Sequence, residues 1–422
     1  MTVTTVTARG ALYREELLDR VLPWWEANAV DPSGGVFTCF SNDGRLVSRD
    51  KYTWSQGRWA WLCAQLGEGA DAGVLALDAP LWRARARATA RHLGLSLTTD
   101  GTEVAFLTDQ SGGHLAANEE GEVAVSVYAD LFAALGFVAA AETADDEDRA
   151  AWRAAAHRLL DSAAVRVRDG SARSEPYPVP TGFTDLGRTM LLMSVATEVH
   201  RYTGSAESLA VVEETMTRIV APGGQWSAER RWEFKPDDPA GATADSMLAN
   251  HINPGHILEL AWMLLDAADV SATTANLLPD WLPAVVLETL DRGWDHERGG
   301  LFRFVDHRGG APSGRRLGGS AYELLVDETW DTKLWWVHIE ALLACEIFAA
   351  RSDDPAFAVW ADRLATYTFS TFPDPAGTEW IQIRDRAGAP LDRVVALPVK
   401  DPFHIPRALI RMIGLLERTP AL

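Results

Sequence analysis

The sequence predicts an all-α fold, an (α/α)6 barrel: a toroid of six helical hairpins joined by short β-hairpin loops. Three observations point to it. A glycine-containing turn cluster recurs six times along the 422 residues, and the stretches between clusters carry helical periodicity. The regular strand–helix alternation that a parallel sheet requires is missing, so helix-on-helix packing is favoured.

The clusters are DPSGGVFTCFSNDG (31–44), TDGTEVAFLTDQSGG (99–113), RDGSARSEPYP (168–178), PGGQWSAERRWEF (222–234), HERGGLFRFVDHRGG (296–310) and DPAGTEWIQIRDRAG (374–388). With Gly34, Gly101, Gly170, Gly223, Gly299 and Gly377 as markers, the intervals are 67, 69, 53, 76 and 78 residues. Several clusters set a short aromatic or β-branched run between two glycine turns, which is a hairpin signature. The third and fourth clusters show it least.

Apolar residues recur at three- and four-residue spacing over 12–27, 54–66, 81–93, 127–142, 150–162, 189–203, 255–268, 282–294, 333–351, 357–369 and 406–418. This amounts to about two helices per cluster. The most apolar stretch, 129–141, is interrupted by Asp130 and falls short of the ~20 residues of a bilayer span, so it reads as a buried helix. Residues 144–149, 236–249 and 308–322 read as loops inserted into one domain spanning 1–422.

Composition narrows the function. With 39 basic against 59 acidic residues and a net charge of −20, the chain lacks the basic footprint of a nucleic-acid binder. Cys39, Cys63 and Cys345 are too few and too scattered for a disulfide framework or a CxxC metal site, which fits a reducing cytoplasm. MTVTTVTARG lacks the apolar core of a signal peptide. GxGxxG, GxSxG, Walker and HExxH patterns are absent, so neither a cofactor nor a metal is expected. The 17 tryptophans fit either sugar-stacking platforms or core.

Four segments carry the candidate chemistry. INPGHILELAW (252–262) places His256 in the first turn of a helix behind Asn253 and Pro254, with Glu259 one turn on, positioned to hold the imidazole. KDPFHIPRAL (400–409) sets His404 before a proline-initiated helix, with Arg407 in reach of a substrate oxygen or a neighbouring carboxylate. Imidazole titrates nearest neutral pH, so two histidines suit proton transfer at a sugar carbon. KYTWSQGRWAW (51–61) puts Trp54 and Arg58 on one helical face, an apolar platform beside a cation able to stabilise a developing enediolate. DTKLWWVHIEAL (331–342) spaces Lys333, Trp336 and Glu340 helically with His338 facing elsewhere, and all four join Arg407 as candidate sugar-binding residues.

Taken together and in order, these segments resemble the N-acylglucosamine 2-epimerase family, which also includes cellobiose 2-epimerases and mannose-type aldose–ketose isomerases. The likeness runs from DPSGGVFTCFSNDGRLVSRDKYTWSQGR through NPGHILELAWMLL, GGLFRFVD and KLWWVHIEA to FHIPRAL. It implies an (α/α)6 barrel. It further implies that His256 and His404 are the acid/base pair, that Arg58 meets the carbonyl end of the sugar, that Glu259 supports His256, and that Trp54 and Trp336 line the pocket. Several of the isomerases and cellobiose epimerases carry a motif NxxMH, where this chain has GRTML with Gly187 and Leu191 in the key places. That departure looks more like the N-acylglucosamine branch.

The implied reaction is interconversion of N-acylglucosamine and N-acylmannosamine by exchange of the C2 proton through an enediolate. Return of the proton to C1 would give a ketose from the same residues. The partner expected is a small-molecule sugar, with no nucleic acid and no membrane; a homodimer is left open. Two other classes stay open: a glycoside hydrolase on an α/α barrel using carboxylates such as Asp331 or Glu340, and a non-catalytic sugar-binding protein.

Overall fold

The computed structural model describes residues 6–116, 122–392 and 400–418; the limits of the expected 1–422 domain and the start of the segment read for a signal peptide lie outside them. In chain order, α1 (Val6–Glu15) runs through a π-helical stretch, Glu16–Val21, into α2 (Leu22–Asn28). There follow α3 (Thr53–Asp71), α4 (Ala79–Ser96), α5 (Val127–Ala141), α6 (Asp146–Asp169), α7 (Leu186–Thr203) and α8 (Ala206–Val220). The second half holds α9 (Met247–Asn250), α10 (Pro254–Ala268), α11 (Ala272–Leu277), α12 (Leu282–Gly293), α13 (Ala321–Thr329), α14 (Trp335–Arg351), α15 (Ala356–Thr371) and α16 (His404–Arg418).

The packing closes a ring. Helix α3 packs on α5, α5 on α7, α7 on α10, α10 on α14, α14 on α16, and α16 returns to α3. Each inner helix is backed by an outer one: α3 by α4, α5 by α6, α7 by α8, α10 by α12, α14 by α15, and α16 by α1. These six inner and six outer helices are the predicted (α/α)6 barrel. Inner helices are enclosed on all sides, which explains why α5 is almost uniformly apolar and why 14 of its 15 residues are buried. The α3–α5 contact is backbone to backbone: a Cβ on Gly57 would collide with the Phe132 carbonyl, and one on Gly136 would lie 2.7 Å from the Gly57 carbonyl oxygen.

All six marker glycines have positive φ, from 69° at Gly101 to 116° at Gly34. Each follows an outer helix, where the chain reverses toward the next inner one, a backbone state that side chains disfavour. Most of the expected hairpins are present as single bridges, such as Leu97 with Val104, Trp294 with Leu301 and Pro373 with Trp380. Cluster 168–178 instead terminates α6 at left-handed Gly170. The regular ladders are longer-range, pairing Lys51–Tyr52 with Leu107–Thr108, Phe183–Asp185 with Phe234–Pro236, His251–Ile252 with Val305–Asp306, and Lys333–Leu334 with Ile383–Arg384. Each ties together loops of successive units at the rim where the inner helices begin.

Helix α8 is absent from the helices read above. Val211, Val212, Thr215, Thr217, Ile219 and Val220 are β-branched and mask its helical signal, which packing against α7 overrides. The insertions 236–249 and 308–322 meet through a parallel bridge between Ser246 and Arg315. Among the described residues, no helix is long and apolar enough to cross a membrane.

Candidate functional site

The six inner helices all begin at one rim, around a cavity of about 240 Å³. Trp54 and Arg58 come from the start of α3, Tyr128 and Phe132 from α5, and Gly187 and Leu191 from α7. His256 and Glu259 come from α10, Trp336 from α14, and His404 and Arg407 from α16. Free N–H groups and helix dipoles at these termini favour negative charge on whatever the cavity holds.

The two histidines, 148 residues apart in the chain, meet at one ring. Trp336 lies 5.2 Å from His256 and 5.7 Å from His404 between ring centroids, tilted by 37° and 35°. Asn253 starts α10 by accepting the Gly255 N–H at 3.0 Å, which fixes where His256 projects. His256 Nδ1 then meets Glu233 Oε1 at 2.7 Å. Burial works against a charged His256, but the Glu233 carboxylate outweighs it and the imidazole is held above its ordinary value. His404 is placed by Asp401, whose Oδ2 accepts the His404 backbone N–H at 2.7 Å, and its Nδ1 meets Glu340 Oε1 at 2.8 Å.

A buried ionic cluster lies beneath the histidines. One Arg407 nitrogen donates to both Glu259 Oε1 and Glu340 Oε1 at 2.6 Å and lies 3.3 Å from His404 Nδ1. Burial opposes ionisation of Glu340, while Arg407 and His404 hold its carboxyl below the usual range. Arg58 donates to Asp401 Oδ1 at 3.1 Å, with its guanidinium 4.0 Å from the Phe132 ring centroid. Burial lowers the Arg58 pKa and Asp401 opposes that fall.

Several expected roles change. Glu259 does not hold His256: it pairs with Arg407, and Glu233 holds the imidazole. Lys333 lies outside the cavity wall, fully buried, donating to Asp295 Oδ2 and the Gly300 carbonyl and standing over Phe302. His338 is likewise buried, its Nε2 accepting from the Leu301 N–H at 2.8 Å and its Nδ1 donating to the Leu334 carbonyl at 2.6 Å. Both residues orient the α14 wall. Glu340 is not a wall residue either: it sits behind His404 and also accepts from Trp262 Nε1 at 3.0 Å. Trp54, Trp336 and Arg407 do line the cavity.

Glu259, Glu340 and His404 converge, with one potential ligand atom each inside 4.8 Å. The Arg407 guanidinium occupies their focus, so these donors already share a cation. At Gly187 a Cβ would approach Tyr128 Oη to 2.6 Å. The tyrosine therefore fills the room where a larger residue would project, with its hydroxyl donating to Asp185 Oδ2 at 3.2 Å.

Glu233 and Asp401 stand at the site through their bonds to His256, His404 and Arg58, and neither is among the residues expected from the sequence. Glu233 sits in the aromatic run RRWEF, where neither periodicity nor spacing marks it. Asp401 was legible in principle: an acidic side chain three residues before a helix start is a capping pattern.

A family model described as N-acylglucosamine 2-epimerase matches residues 35–408. The mouse (Mus musculus) protein named N-acylglucosamine 2-epimerase is 28% identical over 414 residues, covering 94% of this chain and 89% of the relative. The solved cellobiose 2-epimerase from Bacillus thermoamylovorans B4167 superposes with a TM-score of 0.73 at 15% identity, covering 97% of this chain and 99% of that one. A solved D-mannose isomerase gives 0.71 at 16% identity, covering 99% of this chain and 100% of that one. The segments that build the cavity, from Trp54 to Arg407, all fall inside the matched range, and the chain belongs to the N-acylglucosamine 2-epimerase family.

Proposed function

We propose that the protein is a sugar isomerase that interconverts N-acylglucosamine and N-acylmannosamine at C2, with His256 and His404 as the acid/base pair. The observation that carries this reading is the placement of both imidazoles against Trp336 in one cavity, each with Nδ1 tied to a carboxylate. With Nδ1 engaged, Nε2 is left to exchange a proton with the ligand. The C2 hydrogen of an open-chain aldose is acidic because electrons can move into the adjacent carbonyl. One histidine takes that proton, Arg58 stabilises the oxyanion of the enediolate, and the other histidine returns a proton to the opposite face. Met190, Leu191 and Met263 give the cavity an apolar wall, which suits an acyl methyl group.

Proton return at C1 would make the protein an aldose–ketose isomerase. Gly187 and Leu191, replacing the NxxMH residues, favour the epimerase outcome. Asp331 and Glu340, two carboxylates weighed for a hydrolase, do not line the cavity, and Glu233 and Glu259, which do, are paired with His256 and Arg407. The same reading takes the chain as one catalytic domain in the cytoplasm, supported by three buried free thiols, and as metal-independent, supported by Arg407 at the focus of the converging donors.

NMR in D2O tests the reaction. N-acetylmannosamine, mannose and cellobiose are offered in parallel, and a C2-deuterated epimer from the N-acetyl sugar is the expected product. Fructose from mannose would establish the isomerase instead, and loss of no activity on replacing both histidines would sink the mechanism.

A further inference from the structure

Trp336 and the two histidines also border a second chamber of about 250 Å³, whose far wall contains Arg303, Phe304 and Leu325. Three arginines face the two spaces, and they differ in how their charge is met. Arg58 is paired with Asp401, and Arg407 with Glu259 and Glu340. Arg303 has no carboxylate within ion-pair distance among the described residues. It is 6% exposed. The partner of its guanidinium is the neutral Thr329 hydroxyl, which accepts from Nη1 at 3.0 Å, and the group stands 5.0 Å from the Phe304 ring centroid. The Asp401 carboxylate also lines this chamber, but its two oxygens are taken by Arg58 and the His404 N–H.

Arg303 enters the chamber because its backbone is fixed: its N–H donates to the Thr332 carbonyl at 3.1 Å, and that of Phe304 to the Trp330 carbonyl at 3.1 Å. Burial pulls its pKa down to about 10, with only the hydroxyls of Tyr322 and Tyr177 opposing. The guanidinium nevertheless stays charged at neutral pH. A buried cation without a counter-ion is unfavourable until an anion enters, and a planar fork of N–H donors fits an oxyanion best.

We propose that Arg303 makes this chamber a subsite for a compact oxyanion, a carboxylate, phosphate or sulfonate carried by the sugar whose reacting end lies between His256 and His404. Within that reading, a sugar that carries such an anion is preferred over its neutral parent. This rests on the sugar-isomerase reading only for the identity of the ligand's other end; the anion site stands on Arg303 itself.

Titration calorimetry with inorganic phosphate and with sulfate, on the wild-type chain and on Arg303→Gln and Arg303→Lys, reads the site without turnover. Phosphate is expected to bind the wild type, to bind the glutamine variant about tenfold more weakly or worse, and to bind the lysine variant in between. A second arm compares kcat/KM for N-acetylmannosamine with its 6-phosphate, and for mannose with its 6-phosphate, 6-sulfonate and the corresponding uronate. A preference of about tenfold or more for one anionic form, collapsing toward unity in Arg303→Gln, supports the subsite and identifies the oxyanion. Should the glutamine variant fail to fold, competitive inhibition of the wild type by phosphate, weakened in the lysine variant, supports it equally. Phosphate binding that depends on Arg303 while no sugar exchanges its C2 hydrogen would keep the anion site and refute the isomerase reading. Anion binding and substrate preference unchanged by Arg303→Gln would overturn the proposal.

Discussion

His256 Nδ1 lies 2.7 Å from Oε1 of Glu233, a carboxylate carried by the rim loop that precedes the 236–249 insertion. The other Glu233 oxygen, Oε2, is buried and makes no hydrogen bond. Glu233 thus orients the ring and favours its protonated form, against a burial effect that pushes the other way.

Removing that carboxylate weakens the support for the charged ring. In Glu233→Gln the burial remains and the largest attraction is lost, leaving Glu259 and Asp185 to favour the charged ring, so the His256 titration moves down from its raised value. The shift is measured by the imidazole Cε1–H resonance against pH, and the pH profile of kcat/KM moves in the same direction. The sign for stability follows. A folded value above the unfolded one gives stabilisation that is complete below the ordinary histidine value and is lost as pH rises through the folded value. The variant therefore loses stability chiefly at acidic pH, and equal loss at high pH would contradict the assignment.

Arg407 holds two buried carboxylates at once. Arg407→Met leaves Glu259 and Glu340 facing each other without a cation, and denaturant unfolding should show a loss of about 3–5 kcal/mol. Glu259→Gln keeps Glu340 as a partner and should cost less. If the two variants lose the same amount, the cluster is not organised around Arg407.

Much of this arrangement was legible in the chain. The six glycine markers gave the hairpin count because each reversal after an outer helix needs a left-handed backbone, and His256, His404, Trp54 and Arg58 were legible because they sit in helix-start patterns. Side-chain pairing was not legible. Helical spacing put Glu259 on the face of His256, yet the imidazole found its carboxylate on another loop, and Glu259 turned to an arginine 148 residues away. Lys333 was read at helical spacing with Trp336 but lies in the strand before α14, and His338, read as facing elsewhere along that helix, lies off the cavity. Their burial and bonded partners belong to the rim ladder and to the Leu301 turn, contacts set by tertiary packing alone.

Gly187 and Tyr128 share one space. A methyl group at 187 meets the Tyr128 hydroxyl and should displace it from Asp185, so Gly187→Ala is expected to raise KM for the sugar. Tyr128→Phe in the same chain removes the colliding oxygen and should recover part of the loss. KM values of the two single variants and the double variant form a cycle, and simple additivity would show that the residues do not interact.

Asp401 joins the two sides of the reaction. Its Oδ1 meets Arg58, the proposed oxyanion partner, and its Oδ2 accepts the N–H that opens α16 at His404. Asparagine at 401 keeps a capping oxygen for that N–H, since Asn and Asp cap about equally well, but leaves the Arg58 guanidinium without its counter-charge. Alanine removes the cap as well, which should cost a further ~1 kcal/mol in unfolding free energy. Asp401→Asn should therefore lower kcat more than it raises KM, because the oxyanion partner is misplaced while the cavity wall survives. Combining it with Arg58→Met removes the unpaired charge, so stability should recover while turnover does not. Recovery of both would mean that Arg58 serves the fold and not the enediolate.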